Sequence, residues 1–261
     1  MKLYGLIGKK LSHSFSKEYF NKKFSENGVD AAYELFELEN IEQLPELISS
    51  QTELAGLNVT IPYKQQAVAY CSKLDKTAQM TGAVNTLVIN RKNHKIEIIG
   101  YNTDVIGFDS LIKPILKQLN NSKALILGTG GASRAVQYSL RSAGIGFTIV
   151  SRKASKPNQI NYAMITASFI RNHQLIINTT PLGMYPDSES RPPIPYQYLN
   201  EKHILIDVIY NPAETAFLKA GKSYHAITLN GMPMLVAQAD ASWKIWSGNN
   251  QNLYPCRLLD F

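Results

Sequence analysis

Gly128-Thr-Gly-Gly-Ala-Ser-Arg134 follows an apolar run, Ala124–Leu127, and leads into a helical pattern. Phe147–Lys153 then reads as a second strand. A strand, a glycine-rich turn, a helix and a strand within about 30 residues have the size of a dinucleotide-binding βαβ unit. Gly128 suits the tight turn. Gly130 lets the backbone approach a pyrophosphate, which the following helix N-terminus attracts, and Gly131 adds a second point of approach. Ser133 stands where the pattern calls for a third glycine. A preference for NAD would place an acid at the end of the second strand, to hold the ribose 2′-hydroxyl. Ser151, Arg152 and Lys153 stand there instead. Two cations suit a 2′-phosphate, so the unit points to NADP. A glycine-rich turn can also be a plain connection; the flanking elements and the basic strand end favour the nucleotide.

A second set of polar residues falls where strands end. Asn58-Val-Thr60 closes one strand and Ile61-Pro-Tyr-Lys64 follows it. Asn85-Thr86 heads a hairpin and Asn102-Thr-Asp104 ends it. In α/β sheets ligands bind beyond the carboxyl ends of parallel strands. Amides, hydroxyls and a Lys–Asp couple so placed can converge on one polyhydroxylated ligand. Ser14 and Ser16 precede or open a helix, where hydroxyls beside its N-terminus can bind a carboxylate. Each residue has a structural alternative. Asp104 and Ser16 can be helix N-caps, Asn58 and Thr60 can satisfy backbone groups beside Pro62, and Lys64 can be a surface lysine.

These residues need elements to hold them. Strands are expected at Lys2–Ile7, Tyr33–Leu38 and Leu54–Ile61, with helices at Phe15–Phe24, around Ile41–Ile48 and at Lys64–Leu74. Val84–Asn90 and Ile96–Tyr101 flank a turn and form a hairpin. Val105, Phe108, Ile112, Ile115 and Leu119 mark one face of a long helix. Further strands fall at Leu175–Thr180 and His203–Tyr210, and the alternation suits a doubly wound parallel sheet. A last helix, about Pro233–Ser247, can return to the first domain. The fold class is therefore α/β with two domains and a cleft between them. Residues 1–103 form a substrate-binding and catalytic domain, 104–230 a Rossmann-like NADP domain, and 231–261 a C-terminal segment that returns to the first.

Composition narrows the function classes. The chain has 261 residues, 44% hydrophobic and 18% charged, an ordinary globular balance. No apolar run reaches the roughly 18 residues of a membrane span. Met1–Gly8 lacks the long apolar core and cleavage site of a signal peptide. The formal charge is +7, but the cations are scattered, so nucleic acid is not an expected partner; an excess of cations can steer small anions. Cys71 and Cys256 form no metal-spaced pair and are expected as reduced thiols in a cytoplasmic protein. His13, His94, His173, His203 and His225 show no ligand spacing, so no metal is expected. A Gly-x-Ser-x-Gly elbow is absent, which argues against a serine hydrolase.

Taken together, these motifs resemble the shikimate dehydrogenase family over nearly the whole chain. They fall in family order: Ser14-Phe-Ser16, Asn58–Lys64, Gly82–Thr86, Asn102–Asp104, Gly128–Arg134, Asn178–Met184, Asp207–Tyr210 and Gly231–Gln238. Three positions depart from the family pattern: Lys17, Phe20 and Ala216. The resemblance implies NADP-dependent, reversible reduction of 3-dehydroshikimate to shikimate, in aromatic amino-acid biosynthesis. A quinate/shikimate dehydrogenase using NAD or NADP is the alternative. The family pattern implies Lys64 and Asp104 as the catalytic pair. It gives the substrate carboxylate to Ser14 and Ser16 with Tyr210 nearby, and substrate hydroxyls to Asn58, Thr60, Asn85 and Gln238 as well as the catalytic pair. The cofactor falls to Gly128, Gly130, Gly131, Ala132, Ser151, Arg152, Lys153, Thr179, Met184 and Gly231. The implied partner is a small molecule, with no nucleic acid or membrane, and the assembly a monomer or homodimer.

Overall fold

The computed structural model describes residues 1–11, 14–93, 95–119 and 122–249. His13, His94, Cys256 and the segment 250–261 lie outside the described residues. Two compact units result. One holds residues 1–103 and 239–249, the other 104–238.

The first unit runs β1 (Lys2–Gly8), α1 (Phe15–Glu26), β2 (Ala31–Glu37), α2 (Leu44–Ser50), β3 (Leu54–Val59), β4 (Lys73–Leu74), α3 (Lys76–Thr81), β5 (Thr86–Lys92) and β6 (Lys95–Tyr101). Its six-stranded sheet has the order β2-β1-β3-β5-β6-β4. β1 pairs in parallel with β2 and β3, whereas β5 runs antiparallel to β3 and β6. Each face carries its own core. Ile7, Leu44, Ile48, Leu57 and Leu87 pack on one side; Tyr4, Leu6, Phe20, Phe24, Tyr33 and Trp246 pack on the other. Trp246 belongs to the last helix, α8 (Met232–Trp246). Its indole lies 4.8 Å from the Tyr4 ring, and its Nε1 donates to Leu87 O at 3.0 Å. A Cβ on Gly56 would meet that indole, so only glycine lets the ring lie flat on β3.

The second unit begins with α4 (Asp104–Ile112) and continues β7 (Lys123–Leu127), α5 (Gly131–Ser142), β8 (Gly146–Val150), β9 (Gln159–Ile160), α6 (Ala167–Asn172), β10 (Leu175–Asn178), β11 (Ile204–Asp207), α7 (Ala216–Ser223) and β12 (Ile227–Leu229). Every strand pair is parallel, in the order β12-β11-β10-β7-β8-β9. The doubly wound parallel sheet expected from the sequence is present. Alternation along the strands divides the core: Ala124, Ile126, Leu175 and Ile177 face one side, Leu125, Leu127, Ile176 and Leu205 the other.

Several sequence expectations need correction. No α-helix spans Lys64–Leu74. The Lys64 carbonyl accepts from Val84 N–H at 2.7 Å, which removes it from a helical ladder; a 3₁₀ turn, Gln66–Tyr70, and the short β4 take its place. The long helix after Asp104 is broken. Its α-helical part ends at Ile112, and Lys113–Leu119 is 3₁₀, because Pro114 has no N–H for the ladder. β3 ends at Val59 rather than Ile61, and β11 at Asp207 rather than Tyr210. Helix α3 was missed, although Asp75 caps it through Thr77 and Ala78 N–H groups and Gly82 ends it at φ +59.

One packing feature has a measurable pH signature. Asp109 on α4 is largely buried, and that burial pushes its carboxyl up to about 6. Ser139 on α5 lies near enough to favour the anion, yet neither Asp109 Oδ1 nor Ser139 Oγ completes a well-formed hydrogen bond among the described residues. A raised carboxyl contributes most stability below its unfolded pKa, and that contribution is lost as pH rises through the folded value. The loss is up to about 3 kcal/mol. Asp109→Asn is therefore expected to be more stable than the unsubstituted protein at pH 8, with the advantage shrinking toward pH 4. Urea denaturation at several pH values checks this; an advantage independent of pH would contradict it.

Candidate active site

The polar residues at the strand ends of the first unit form one buried hydrogen-bonded chain. Asn58, at the end of β3, is 5% exposed. Its Nδ2 donates to Asn85 O, Thr86 Oγ1 and Ser242 Oγ at 3.1–3.2 Å, and its Oδ1 accepts from Tyr33 Oη at 2.8 Å. Tyr33 is wholly buried, which raises its pKa well above the usual phenol range; the Ser16 hydroxyl bonded to it works the other way. Asn85 donates from Nδ2 to Thr103 Oγ1 at 2.9 Å and accepts from Thr103 N–H at 2.7 Å. Asn102 in turn holds Thr81 Oγ1 and Ala83 O. The structure thus joins Ser16, Asn58 and Asn85 in one network. The Asn58 amide donors are held within the protein, so its Oδ1 is the atom with a lone pair left for a ligand.

The N-cap alternative for Ser16 does not hold. Ser14, not Ser16, occupies the N-cap of α1, and the Ser14 side chain makes no cap hydrogen bond. Ser16 is already inside the helix and buried. Thr60 is half-buried, with its N–H on Ile7 O at 2.9 Å. Lys64, also half-buried, sits in the turn after the Ile61–Pro62 peptide, which is cis. Asp104 follows Thr103 in the chain, is 3% exposed and opens α4, where a carboxylate faces the positive end of the helix dipole.

In the second unit the glycine turn has the conformation its residues require. Gly128 adopts φ +113, and a Cβ there would meet Thr179 Oγ1 at 2.8 Å. Gly130 is the N-cap of α5, and a Cβ on it would find no atom within 4 Å. The N–H groups of Gly131, Ala132 and Ser133 lie in the first turn, where no helical carbonyl can reach them. Open space over these donors fits the phosphates of a dinucleotide. Ser133 explains its place in the motif: its Oγ donates back to Gly128 O at 2.8 Å and ties the turn to the helix. Thr179 buttresses the same turn, its hydroxyl donating to Leu127 O at 2.7 Å. Ser151, at the end of β8, bonds the backbone of Lys153, and Arg152 and Lys153 project as exposed cations.

Other expected positions follow the next strands. Met184 is 40% exposed, beyond a turn that Gly183 enters at φ +95. Tyr210 is half-buried, three residues past the end of β11. Gly231 packs on backbone: its N–H donates to Ile209 O at 3.0 Å, and a Cβ would lie 2.2 Å from Val208 O. Gln238, on α8, donates from Nε2 to Leu235 O at 2.9 Å. Among the described residues no three His, Cys, Asp or Glu side chains gather to hold a metal, and no helix is long and apolar enough to cross a membrane.

Residues 6–87 match the family model of the shikimate dehydrogenase substrate binding domain. A shikimate dehydrogenase (NADP(+)) of Methanococcus maripaludis is 39% identical, across 97% of this chain and 94% of its own length. The chain belongs to the shikimate dehydrogenase family. Solved structures agree. Shikimate dehydrogenase 1 from Peptoclostridium difficile is 37% identical, covers 95% of this chain and 92% of its own, and superimposes with a TM-score of 0.81. The shikimate 5-dehydrogenase of Thermus thermophilus, solved with NADP(H) and shikimate, is 28% identical over 95% of this chain and 94% of its own, with a TM-score of 0.81 as well.

In this member of the family, sequence reasoning missed Tyr33, Thr103 and Ser242 as parts of the polar network. Tyr33 reads as an apolar core residue by its spacing, and its hydroxyl announces no partner. Ser242 lies 184 residues from Asn58, so no local pattern links them.

Proposed function

We propose that the chain catalyses the reversible, NADP-dependent reduction of 3-dehydroshikimate to shikimate. The similarity to an NADP-dependent shikimate dehydrogenase over 97% of the chain carries this reading. The open space over Gly130 and the cations at the end of β8 support it on the cofactor side. Gly128, Gly130, Gly131 and Ala132 would hold the pyrophosphate; Ser151, Arg152 and Lys153 the 2′-phosphate; Thr179, Met184 and Gly231 the nicotinamide end. NADPH, when bound, supplies the hydride that the ketone carbon receives. Lys64 donates a hydrogen bond to the ketone oxygen, stabilises the negative charge that grows there and delivers the proton. Asp104 orients the ammonium toward that oxygen. Ser14, Ser16 and Tyr210 receive the substrate carboxylate, and Asn58, Thr60, Asn85 and Gln238 the ring hydroxyls. The enzyme acts in the cytoplasm, as a monomer or homodimer, on small diffusing substrates.

The test is direct. Purified protein with shikimate should reduce NADP, followed by absorbance, and reduce NAD far more slowly. No turnover with shikimate would overturn the assignment. Equal rates with both cofactors and with quinate would favour the quinate/shikimate alternative. Cofactor choice has its own variant. A guanidinium holds a phosphate in a fork of hydrogen bonds, so Arg152→Ala should raise KM for NADP about tenfold, the size of one charge-assisted pair. KM for NAD should hardly move. An unchanged ratio of the two would remove Arg152 from the cofactor site.

A further inference from the structure

Asp207 is the residue of its motif to which the proposed chemistry gives no role. It ends β11, is fully buried and faces the end of β10. Its Oδ1 accepts from Asn178 Nδ2 at 3.1 Å and from Ile209 N–H at 3.0 Å; its Oδ2 accepts from Thr215 Oγ1 at 2.6 Å. All three partners are committed as donors. Asn178 Oδ1 accepts from Thr180 N–H and Thr180 Oγ1, which turns its amide nitrogen toward Asp207. Thr215 Oγ1 accepts from Leu218 N–H at the start of α7, which leaves its proton for Asp207. An ionised carboxylate is the side chain that meets three donors with acceptors alone.

Burial pushes the Asp207 carboxyl up to about 6, and its three donors oppose that rise. Tyr196 also feels its charge.

Two chain segments hang from this group. Asn178 carries the segment after β10: its Nδ2 also holds Leu182 O at 3.2 Å, and Thr180 Oγ1 accepts from Leu182 N–H. Ile209 carries the segment after β11, and Ile209 O accepts from Gly231 N–H. Asn178 itself is 0% exposed, with its amide nitrogen turned toward Asp207.

We propose that Asp207 is a positioning residue for the reaction: its buried carboxylate fixes the segments that carry Thr179–Met184 and Tyr210 relative to each other. This rests on the reading of those segments as cofactor and substrate contacts. Asp207 touches neither ligand and acts through Asn178 and Ile209.

A graded pair of variants tests it in the full chain. Asp207→Ala removes every acceptor; Asp207→Asn keeps a carbonyl oxygen for Asn178 and Ile209. The readouts are the NADP Kd by fluorescence titration, kcat with shikimate, and Tm. Asp207→Ala should raise Kd and lower kcat by about tenfold or more, the size of one charge-assisted hydrogen bond. Asp207→Asn should recover part of both. A merely structural carboxylate would lower Tm and leave Kd and kcat of the folded protein unchanged, and that result overturns the proposal. If Asp207→Ala does not fold, Asp207→Asn and Thr215→Val decide by the same readouts, with wild-type Kd and kcat in both overturning it. Unsubstituted protein that binds NADP without turning over shikimate defeats the substrate reading alone, and the affinity series still decides on Asp207. Unsubstituted protein that binds no NADP defeats both.

Discussion

Replacing Lys64 with alanine is expected to lower kcat by about 10²–10⁴-fold, the usual weight of general acid–base assistance. KM for shikimate should change much less, because the lost interaction grows with charge on the oxygen and so belongs to the transition state. NADP affinity should be unchanged, since the glycine turn and the basic strand end lie in the other unit. Asp104→Asn keeps shape but removes the charge that supports the ammonium, and should be severely impaired as well. The double variant should be little worse than the worse single one, because groups acting as a unit do not add. Steady-state kinetics with a thermal melt for each variant checks all three. A folded Lys64→Ala protein with the wild-type turnover rate would refute the proposed chemistry.

The second large effect separates two glycines that look alike in the sequence. Gly130→Ala should fold almost normally. Its φ of −72 is open to any residue, and the new methyl meets no protein atom. The stability cost should be within about 1 kcal/mol, that of a poorer N-cap. NADP should bind at least about tenfold more weakly, because the methyl enters the space over the helix donors. Gly231→Ala should instead cost stability first. Its methyl would lie 2.2 Å from Val208 O, against backbone that cannot swing aside. A loss of about 3 kcal/mol and a Tm lower by roughly 6–12 °C are expected. Calorimetry beside a cofactor titration distinguishes them. A Gly130→Ala protein that binds NADP normally would show that the open space serves something other than the phosphates.

What the sequence reveals here depends on how local the cause is. Four strands of the second sheet, β7, β8, β10 and β11, were legible because each is a short apolar run next to glycine or polar punctuation; the short edge strands β9 and β12 were not. The turn at Gly128 was legible because only glycine tolerates its backbone. The break at Pro114 was also visible in principle, since a proline removes a ladder bond wherever the apolar stripe continues. Lys64–Leu74 failed for a different reason: a carbonyl drawn off by Val84, 20 residues away, stops a helix that local preference allows. The candidate site divides the same way. Lys64, Asn85 and Asp104 stand out as polar residues at strand ends. Tyr33 and Ser242 contribute through partners remote in sequence, and spacing carries no trace of them; Asp207 stands in a visible motif, but its tie to Asn178 comes from pairing of two strands 29 residues apart.

The contact of Trp246 with β3 and β5 has a consequence for synthesis. The first unit needs a residue 159 positions beyond Leu87 to cover Tyr4 and Gly56, and Asn58 waits for Ser242, 184 positions later. Chains emerge N-terminus first, at about 5–20 residues per second. On the ribosome the amino-terminal sheet therefore spends many seconds with one apolar face covered only by α1, while the second sheet has all its strands before α8 is complete. The unit made first is finished last. Its exposed aromatic face is the surface a chaperone would hold during that interval.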